Sequence, residues 1–312
     1  MGETKNYAVA IGGSNIDILA APKNKIISQD SNTAEISLSP GGVVRNISEN
    51  LSLLKSKCHL ISAFGNDEFG NFIKSRTISS DVSLKHCLTI SSDNTSSYLS
   101  VNDIKGEMSI AFNDTKILKN LTPNFLSTKY SLINNSSAII IDANLQDKTL
   151  EYIFKNFKNN FIFADPVSLS KSKKLKKYIK SINVLKPNLD EAIILYNLNT
   201  KDNYFTEELS NELNKKNEGK LLISLGHKGV ISFHNKEIKK YKINKLSVKN
   251  SNGAGDALMA GLVQGHLKNW SWDYTVKFAI SMASIATQST ETVNPNTNQK
   301  NVTNFLKENF EN

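Results

Sequence analysis

Residues 250–261 read NSNGAGDALMAG, a run of small side chains with one charge, Asp256, at the start of a helically spaced apolar pattern. A helix N-terminus presents unpaired backbone N–H groups and a partial positive charge, and glycines let an anion come close to them. Gly253, Ala254 and Gly255 therefore read as an anion cradle. A carboxylate beside a cradled phosphate is poor electrostatics for binding alone. It makes sense if Asp256 accepts a proton from a hydroxyl that attacks that phosphate. The bland alternative is an Asp in the first turn of a helix that follows a Gly-rich loop.

Other stretches carry the same kind of polar corner. IGGSNID (11–17) puts Asn15 and Asp17 two apart, so on an extended chain both face one way. A carboxylate there suits the vicinal hydroxyls of a sugar. The glycine pair lacks the third glycine of a dinucleotide fingerprint. GGVVRN (41–46) places Gly41 and Gly42 before a helix with Asn46 one turn in, which suits close backbone approach to a polar ligand or simply a tight turn. KPNLDE (186–191) sets Asn188 and Glu191 three apart, either a pair that orders water around Mg²⁺ or a capping box. SLGHKG (224–229) offers Gly226 and Gly229 at a strand end, where a nucleotide could lie across the backbone or the chain could turn back into GVISF. Asp165-Pro166 reads as a turn start.

The elements that must position these corners alternate. Short apolar runs at 7–13, 58–65, 138–143, 161–166, 182–187 and 220–226 predict strands, several buried on both faces as in parallel sheets. Helical spacing predicts helices over 43–54, 147–158, 188–197, 205–217, 254–268 and 272–290. Such alternation implies a doubly wound α/β sheet that binds ligands at the C-terminal strand ends. Residues 25–40 and 92–113 break the rhythm; the second reads as a hairpin turning near Lys105-Gly106, and both suit a small β-flap over a site.

Composition narrows the class. Of 312 residues, 39% are apolar and 21% charged, which predicts a packed core. No apolar run has the roughly 18 residues of a membrane span, and MGETKNYAVAIGG lacks the layout of a signal peptide, so a cytoplasmic protein is expected. Cys58 and Cys87 have no metal or redox spacing. The net charge of +9 invites a nucleic-acid partner, but KSKKLKKYIK (171–180) has Leu175 and Ile179 four apart and reads as a solvated helix face. No nucleic-acid partner is therefore expected.

In this order and spacing, GGVVRN, ISAFGNDEFG, KPNLDE, SLGHKG and NGAGDALMAG resemble the ribokinase-like (PfkB) carbohydrate kinases, from about residue 6 to residue 300. The stretches GGVVRNISENLSLL, TSSYLSV, FADPVS, LKPN and STETVNPN resemble those members that act on pseudouridine. The resemblance implies one kinase domain over residues 1–312, a mostly parallel central sheet flanked by helices, and a β-lid at roughly 14–40 and 92–113. It implies ATP and Mg²⁺ as cofactors, a nucleoside as the small-molecule substrate, and a homodimer through the lid. Asp256 would be the catalytic base, with Gly253, Ala254 and Gly255 as the anion hole. Asn15, Asp17, Gly41, Gly42 and Asn46 would hold the sugar. Asn188, Ser224, Gly226 and Gly229 would follow the ATP, and Glu191 would hold Mg²⁺ through water. Many relatives carry an Asp that helps to site a monovalent cation where this chain has Asn250, which puts K⁺ activation in question.

The reaction expected is transfer of the ATP γ-phosphoryl group to the 5′-hydroxyl of pseudouridine. Ribose, adenosine or inosine kinases share the fold and are the nearest rivals; a nucleoside-binding regulator without catalysis is a further one. Telling pseudouridine from uridine requires an acceptor for the extra N1–H, and Thr95 to Tyr98 and the 165–171 turn are candidates for reading the base.

Overall fold

A computed structural model describes residues 6–198, 207–216, 219–242 and 248–311. In chain order its strands are β1 (Ala8–Ile11), β2 (Asn15–Pro22), β3 (Ala34–Gly41), β4 (Cys58–Ile61), β5 (Ala63–Gly65), β6 (Leu88–Ile90), β7 (Ser97–Asn102), β8 (Met108–Asp114), β9 (Ala138–Asp142), β10 (Ile162–Asp165), β11 (Val184–Leu185), β12 (Lys220–Ser224), β13 (Val230–His234) and β14 (Glu237–Tyr241). Eight of these form the main sheet, in the order β14-β13-β12-β11-β10-β9-β1-β4. It is parallel from β12 to β4, with β13 and β14 antiparallel at one edge.

The apolar runs behave as double-sided strands should. Val9, Ile11, Ile139, Ile141, Ile162 and Ala164 enter one buried cluster. Their alternates Ala8, Ala10, Ala138, Ile140 and Phe163 enter a second, on the opposite face. Helices Val43–Leu53, Ala254–Leu267 and Trp272–Ala286 contribute to the second cluster, and helices Asp147–Asn156 and Leu189–Tyr196 to the first. Because each strand residue is apolar whichever way it points, the sheet is covered on both sides. The order of strands reverses direction between β9 and β1, the place where an open α/β sheet leaves a crevice at its C-terminal strand ends.

A separate four-stranded sheet, β3-β2-β7-β8, forms the lid. Its hairpin turns at Gly106, whose φ of 82° accommodates the reversal read from Lys105-Gly106. Register divides this sheet into two unlike faces. Asp17 lies opposite Ser39 and Tyr98, Leu19 opposite Ser37 and Ser100, and Tyr98 opposite Asn113, so one face is largely polar. The other carries Ile18, Leu38, Leu99 and Phe112 in one row and Ala20, Ile36, Val101 and Ile110 in the next. Ile36 is 67% and Phe112 57% exposed on that apolar face.

Several expectations are corrected. The run 58–65 is two strands in different sheets: Ser62 leaves the main sheet to donate to the Gly12 carbonyl at 2.7 Å, and β5 then pairs with β6. Residues 182–187 contribute only the two-residue β11. The stretch 171–180 is not one helix but a short turn of α-helix, Leu169–Ser172, followed by a 3₁₀ segment, Lys173–Ser181, which buries Leu175. The helix over 205–217 is described from Glu207 to Lys216; its expected ends at 205–206 and 217 lie outside the described residues. Helices Glu68–Ser79 and Gln299–Phe310 are not among the predicted elements; they begin at side-chain caps from Asp67 and Asn298, and the second packs Val302, Phe305 and Leu306 into or against the core. No described helix is long and apolar enough to cross a membrane.

Candidate active site

The polar face of the lid, the C-terminal ends of β1, β9 and β10, and the start of helix Ala254–Leu267 enclose a cavity of about 700 Å³. Asn15, Asp17, Gly42, Asn46, Gly253 and Asp256 all line it, although they lie up to 241 positions apart in sequence (256 − 15). Gly41 lies beneath Asp17: a Cβ there would come within 2.3 Å of the Asp17 carboxylate, so only glycine leaves that group room. Gly42 has φ of 100° and its α-carbon abuts Gly13, where a Cβ would meet the carbonyl oxygen at 2.4 Å. The chain can therefore turn tightly into helix Val43–Leu53 and keep the cavity floor bare.

Asn46 reaches across the cavity. Its Nδ2 donates to Asp256 Oδ2 at 2.7 Å, while its Oδ1 accepts from Arg45 Nη1 at 2.7 Å. The second contact fixes which end of the amide faces Asp256, since a guanidinium can only donate. Arg45 is buried and held in turn by Glu49, by Thr77 Oγ1 and by the Pro40 carbonyl. Sequence reading gave Arg45 no role; its charge inside a predicted apolar helix stripe was the available signal.

The Asp256 carboxyl is pushed up to about 7, first by desolvation between the cavity walls and then by the negative Asp165 and Asp17. Asn46 and Lys186 pull in the other direction. Asp17 rises to about 6, again chiefly through burial, against the Asn15 hydrogen bond and the Arg45 charge. The two carboxyls thus titrate near neutrality, where a general base is most useful.

At the helix start Gly253 takes φ of 78° and has no space for a side chain, a Cβ there meeting the Thr292 carbonyl at 1.9 Å. The N–H groups of Gly255 and Asp256 have no acceptor among the described residues, as expected of a first helical turn. Lys186, a residue to which sequence reading gave no role, brings its ammonium to this place: a Cβ on Gly255 would lie 3.2 Å from its Nζ. Burial opposes the Lys186 charge, but Asp165, Glu191 and Asp256 outweigh it and hold the ammonium above its ordinary value. Its partner is Asp165 at 3.0 Å, both side chains being buried. Asp165 is more than a turn start, because its other oxygen accepts from the Val167 N–H at 2.8 Å.

The remaining sequence candidates lie outside the cavity. Asn188 and Glu191 form a reciprocal capping box, each side chain accepting from the other's backbone N–H at 2.9 Å. The capping alternative is therefore realised, and it leaves Glu191 Oε1 available. Burial first, then Asp165, raises the Glu191 carboxyl. Ser224, the last residue of β12, makes a parallel β-bridge with Asn188. Gly226 and Gly229 frame the turn into β13, so the hairpin alternative is also realised, with φ of 59° and 97°. These five follow the ends of β11 and β12, and Lys186 connects them to the anion cradle.

Thr95 is withdrawn as a base reader. It is buried, and both its backbone N–H and its hydroxyl donate to Asp67, at 2.7 and 2.6 Å. Ser96, Ser97 and Tyr98 line the cavity. Asn250 accepts from the Asn252 N–H at 2.9 Å and donates to the Thr290 carbonyl at 3.0 Å, so both ends of its amide are engaged. No cluster of three or more metal-ligating side chains occurs among the described residues. Glu191 beside Asp165 suits a metal that keeps most of its water.

The model of the pfkB family carbohydrate kinases matches residues 5–299. Over 304 residues the chain is 35% identical to pseudouridine kinase of Escherichia coli (strain K12), covering 97% of each chain. Among solved structures, Arabidopsis thaliana ribokinase complexed with ribose and ATP superposes with a TM-score of 0.84 at 20% identity, covering 96% of this chain and 98% of that one. Thermotoga maritima ribokinase gives 0.83 at 17% identity, covering 96% of this chain and 99% of that one.

Proposed function

This chain belongs to the pfkB family of carbohydrate kinases, and on that premise we propose that it phosphorylates the 5′-hydroxyl of pseudouridine with ATP. The observation that carries the proposal is the meeting of Asp17, Asn46 and Asp256 in one cavity beside a glycine-rich helix start. The likeness to a pseudouridine kinase over nearly the whole chain supports the choice of nucleoside.

Asp17, steadied by Asn15 and seated on Gly41, grips the ribose 2′- and 3′-hydroxyls and aims O5′ at Asp256. As the O5′–P bond forms and the bond from Pγ to the β-phosphate oxygen breaks, the hydroxyl proton passes to the Asp256 carboxylate and ADP departs. In a loose transition state that proton moves late, so a carboxyl near 7 suffices. The Gly253–Gly255 stretch, through the free Gly255 N–H rather than the Ala254 N–H, which donates to the Ser251 carbonyl at 3.4 Å, and the Lys186 ammonium would face the charge on the transferring group. Asn188, Ser224, Gly226 and Gly229 run along the nucleotide, and Glu191 would hold the waters of an ATP-bound Mg²⁺, which supplies neutralisation of the phosphate charge. The lid covers the sugar and excludes water.

The apolar outer face of the lid completes the proposal. Ile36, Leu38, Leu99, Ile110 and Phe112 are exposed in adjoining rows of one sheet face, and a second copy of the same sheet would cover them face to face. The deciding experiment is a panel of pseudouridine, uridine, adenosine, inosine and ribose with ATP and Mg²⁺, read as phosphorylated product. Pseudouridine should be preferred; preference for another acceptor would reassign the substrate, and no ATP consumption with any would end the kinase reading.

A further inference from the structure

The turn after β10 carries an oddity that the phosphoryl chemistry does not use. Val167 adopts φ of 68°, a left-handed conformation that a β-branched residue rarely takes, and its N–H is pinned to Asp165 at 2.8 Å. This turn brings Lys171, which the sequence assigns both to a solvated basic face over 171–180 and to the end of the 165–171 turn, into the cavity wall. The Lys171 ammonium donates to Asn144 Oδ1 at 2.6 Å. No carboxylate forms an ion pair with it among the described residues. Asn144 in turn hydrogen-bonds to the wholly buried Asp142, whose other oxygen accepts from the Gly13 N–H at 2.8 Å. The ammonium is thus fixed from behind by a neutral amide, and the rest of its hydrogen-bonding capacity is left for the cavity.

Lys171 enters the cavity from a different place than the phosphoryl groups do: it lies on the turn after β10, bonded to Asn144 after β9, whereas Asp256 stands at the start of helix Ala254–Leu267. With a ribose held by Asp17 and its O5′ at Asp256, the hydroxyl edge is accounted for, and the substituent at C1′ meets the remaining wall. That wall contains Asn144, Ser168 and Lys171.

Resting on the kinase reading above, we infer that Lys171, held in place by Asn144, is the group that reads the nucleobase by donating to a ring carbonyl oxygen of a dioxopyrimidine. Such a donor favours carbonyl-edged rings over rings that present an amino group, because an amino donor would face the ammonium with no acceptor between them. It does not separate pseudouridine from uridine, since both rings offer a carbonyl beside the glycosidic bond.

The test measures pseudouridine and ribose in parallel, by calorimetric binding without ATP and by turnover with ATP and Mg²⁺, for the native chain, Lys171→Met and Lys171→Arg. One charge-assisted hydrogen bond predicts that Lys171→Met weakens pseudouridine binding roughly ten- to a hundredfold. The loss should enter KM more than kcat and lower the pseudouridine-to-ribose selectivity by the same factor, with Lys171→Arg recovering part of it. General damage to the fold would lower both substrates together and leave the ratio within twofold of native, and that result overturns the assignment. A native chain that binds pseudouridine through Lys171 but does not phosphorylate it would sink the kinase reading alone. One that phosphorylates pseudouridine with no dependence on Lys171 would sink this inference alone, and absence of pseudouridine binding sinks both.

Discussion

Replacing Asp256 by Asn should abolish turnover and stabilise the free protein, and the second effect has a pH dependence fixed in sign. The Asp256 pKa is carried from 3.8 to about 7, a difference of 7 − 3.8, or about three decades of proton affinity. Below pH 4 the carboxyl is protonated in both folded and unfolded chains, and its burial costs nothing in charge. Between pH 4 and 7 the unfolded chain ionises while the folded one resists, so stability falls as pH rises; above 7 the full penalty is present. Without screening this amounts to on the order of 4 kcal/mol. Water enters the cavity, so about 1–2 kcal/mol is a realistic size. For a chain of this length, that corresponds to a melting temperature roughly 2–4 °C above native at pH 8. The gain should shrink by more than half at pH 5. The Asn46 amide can still donate to the new side-chain carbonyl, so the site keeps its shape. Turnover should drop by at least about a hundredfold, the contribution of a positioned base, with pseudouridine affinity retained. Native kcat/KM should itself rise from pH 5 to 8, as Asp17 at about 6 and Asp256 at about 7 lose their protons. Near-native kcat in Asp256→Asn, or a melting gain equal at pH 5 and pH 8, would refute the reasoning.

Three further outcomes are expected. Arg45→Met strands Glu49 and frees the Asn46 amide to flip, so it should cost about 3 kcal/mol in urea unfolding and lower kcat; adding Glu49→Gln should recover stability but not kcat. Because Asn250 carries no charge and both ends of its amide are engaged, turnover should change less than about twofold when K⁺ is exchanged for tetramethylammonium; strict K⁺ dependence would contradict this. Phe112→Glu on the outer lid face should convert a dimer into a monomer in analytical ultracentrifugation, and a native chain that sediments as a monomer at all concentrations would exclude lid pairing.

The sheet was legible because its strands are apolar at both parities, a pattern that needs no knowledge of partners. The glycine corners were legible for a similar local reason: Gly42 and Gly253 need backbone angles that exclude other residues, and each sits directly before a helix. What sequence could not supply is whatever depends on a distant partner. Arg45 looks like a surface residue until Glu49, Pro40 and Thr77 enclose it. Lys171 looks like one of several lysines on a polar helix until the 3₁₀ segment that replaces that helix separates it from its neighbours. The bipartite lid is of the same kind. Asp17 and Ile18 are adjacent in sequence, and only strand pairing shows that one belongs to a row facing the cavity and the other to a row facing outward.

Asp165 shows what this dependence means for the chemistry. One of its oxygens holds Lys186 at the anion cradle and the other holds the Val167 N–H, which sets the turn that presents Lys171. Because each oxygen has one partner, a change at either end is felt by the other through a single buried, nearly rigid group. Asp165→Asn would keep a carbonyl acceptor for one partner only, opposite an amide that cannot accept from the second. The two ends of the cavity would then compete for the same oxygen. A native carboxylate satisfies both at once, which is a physical reason for a buried negative charge to stand this close to Asp256 despite raising its pKa.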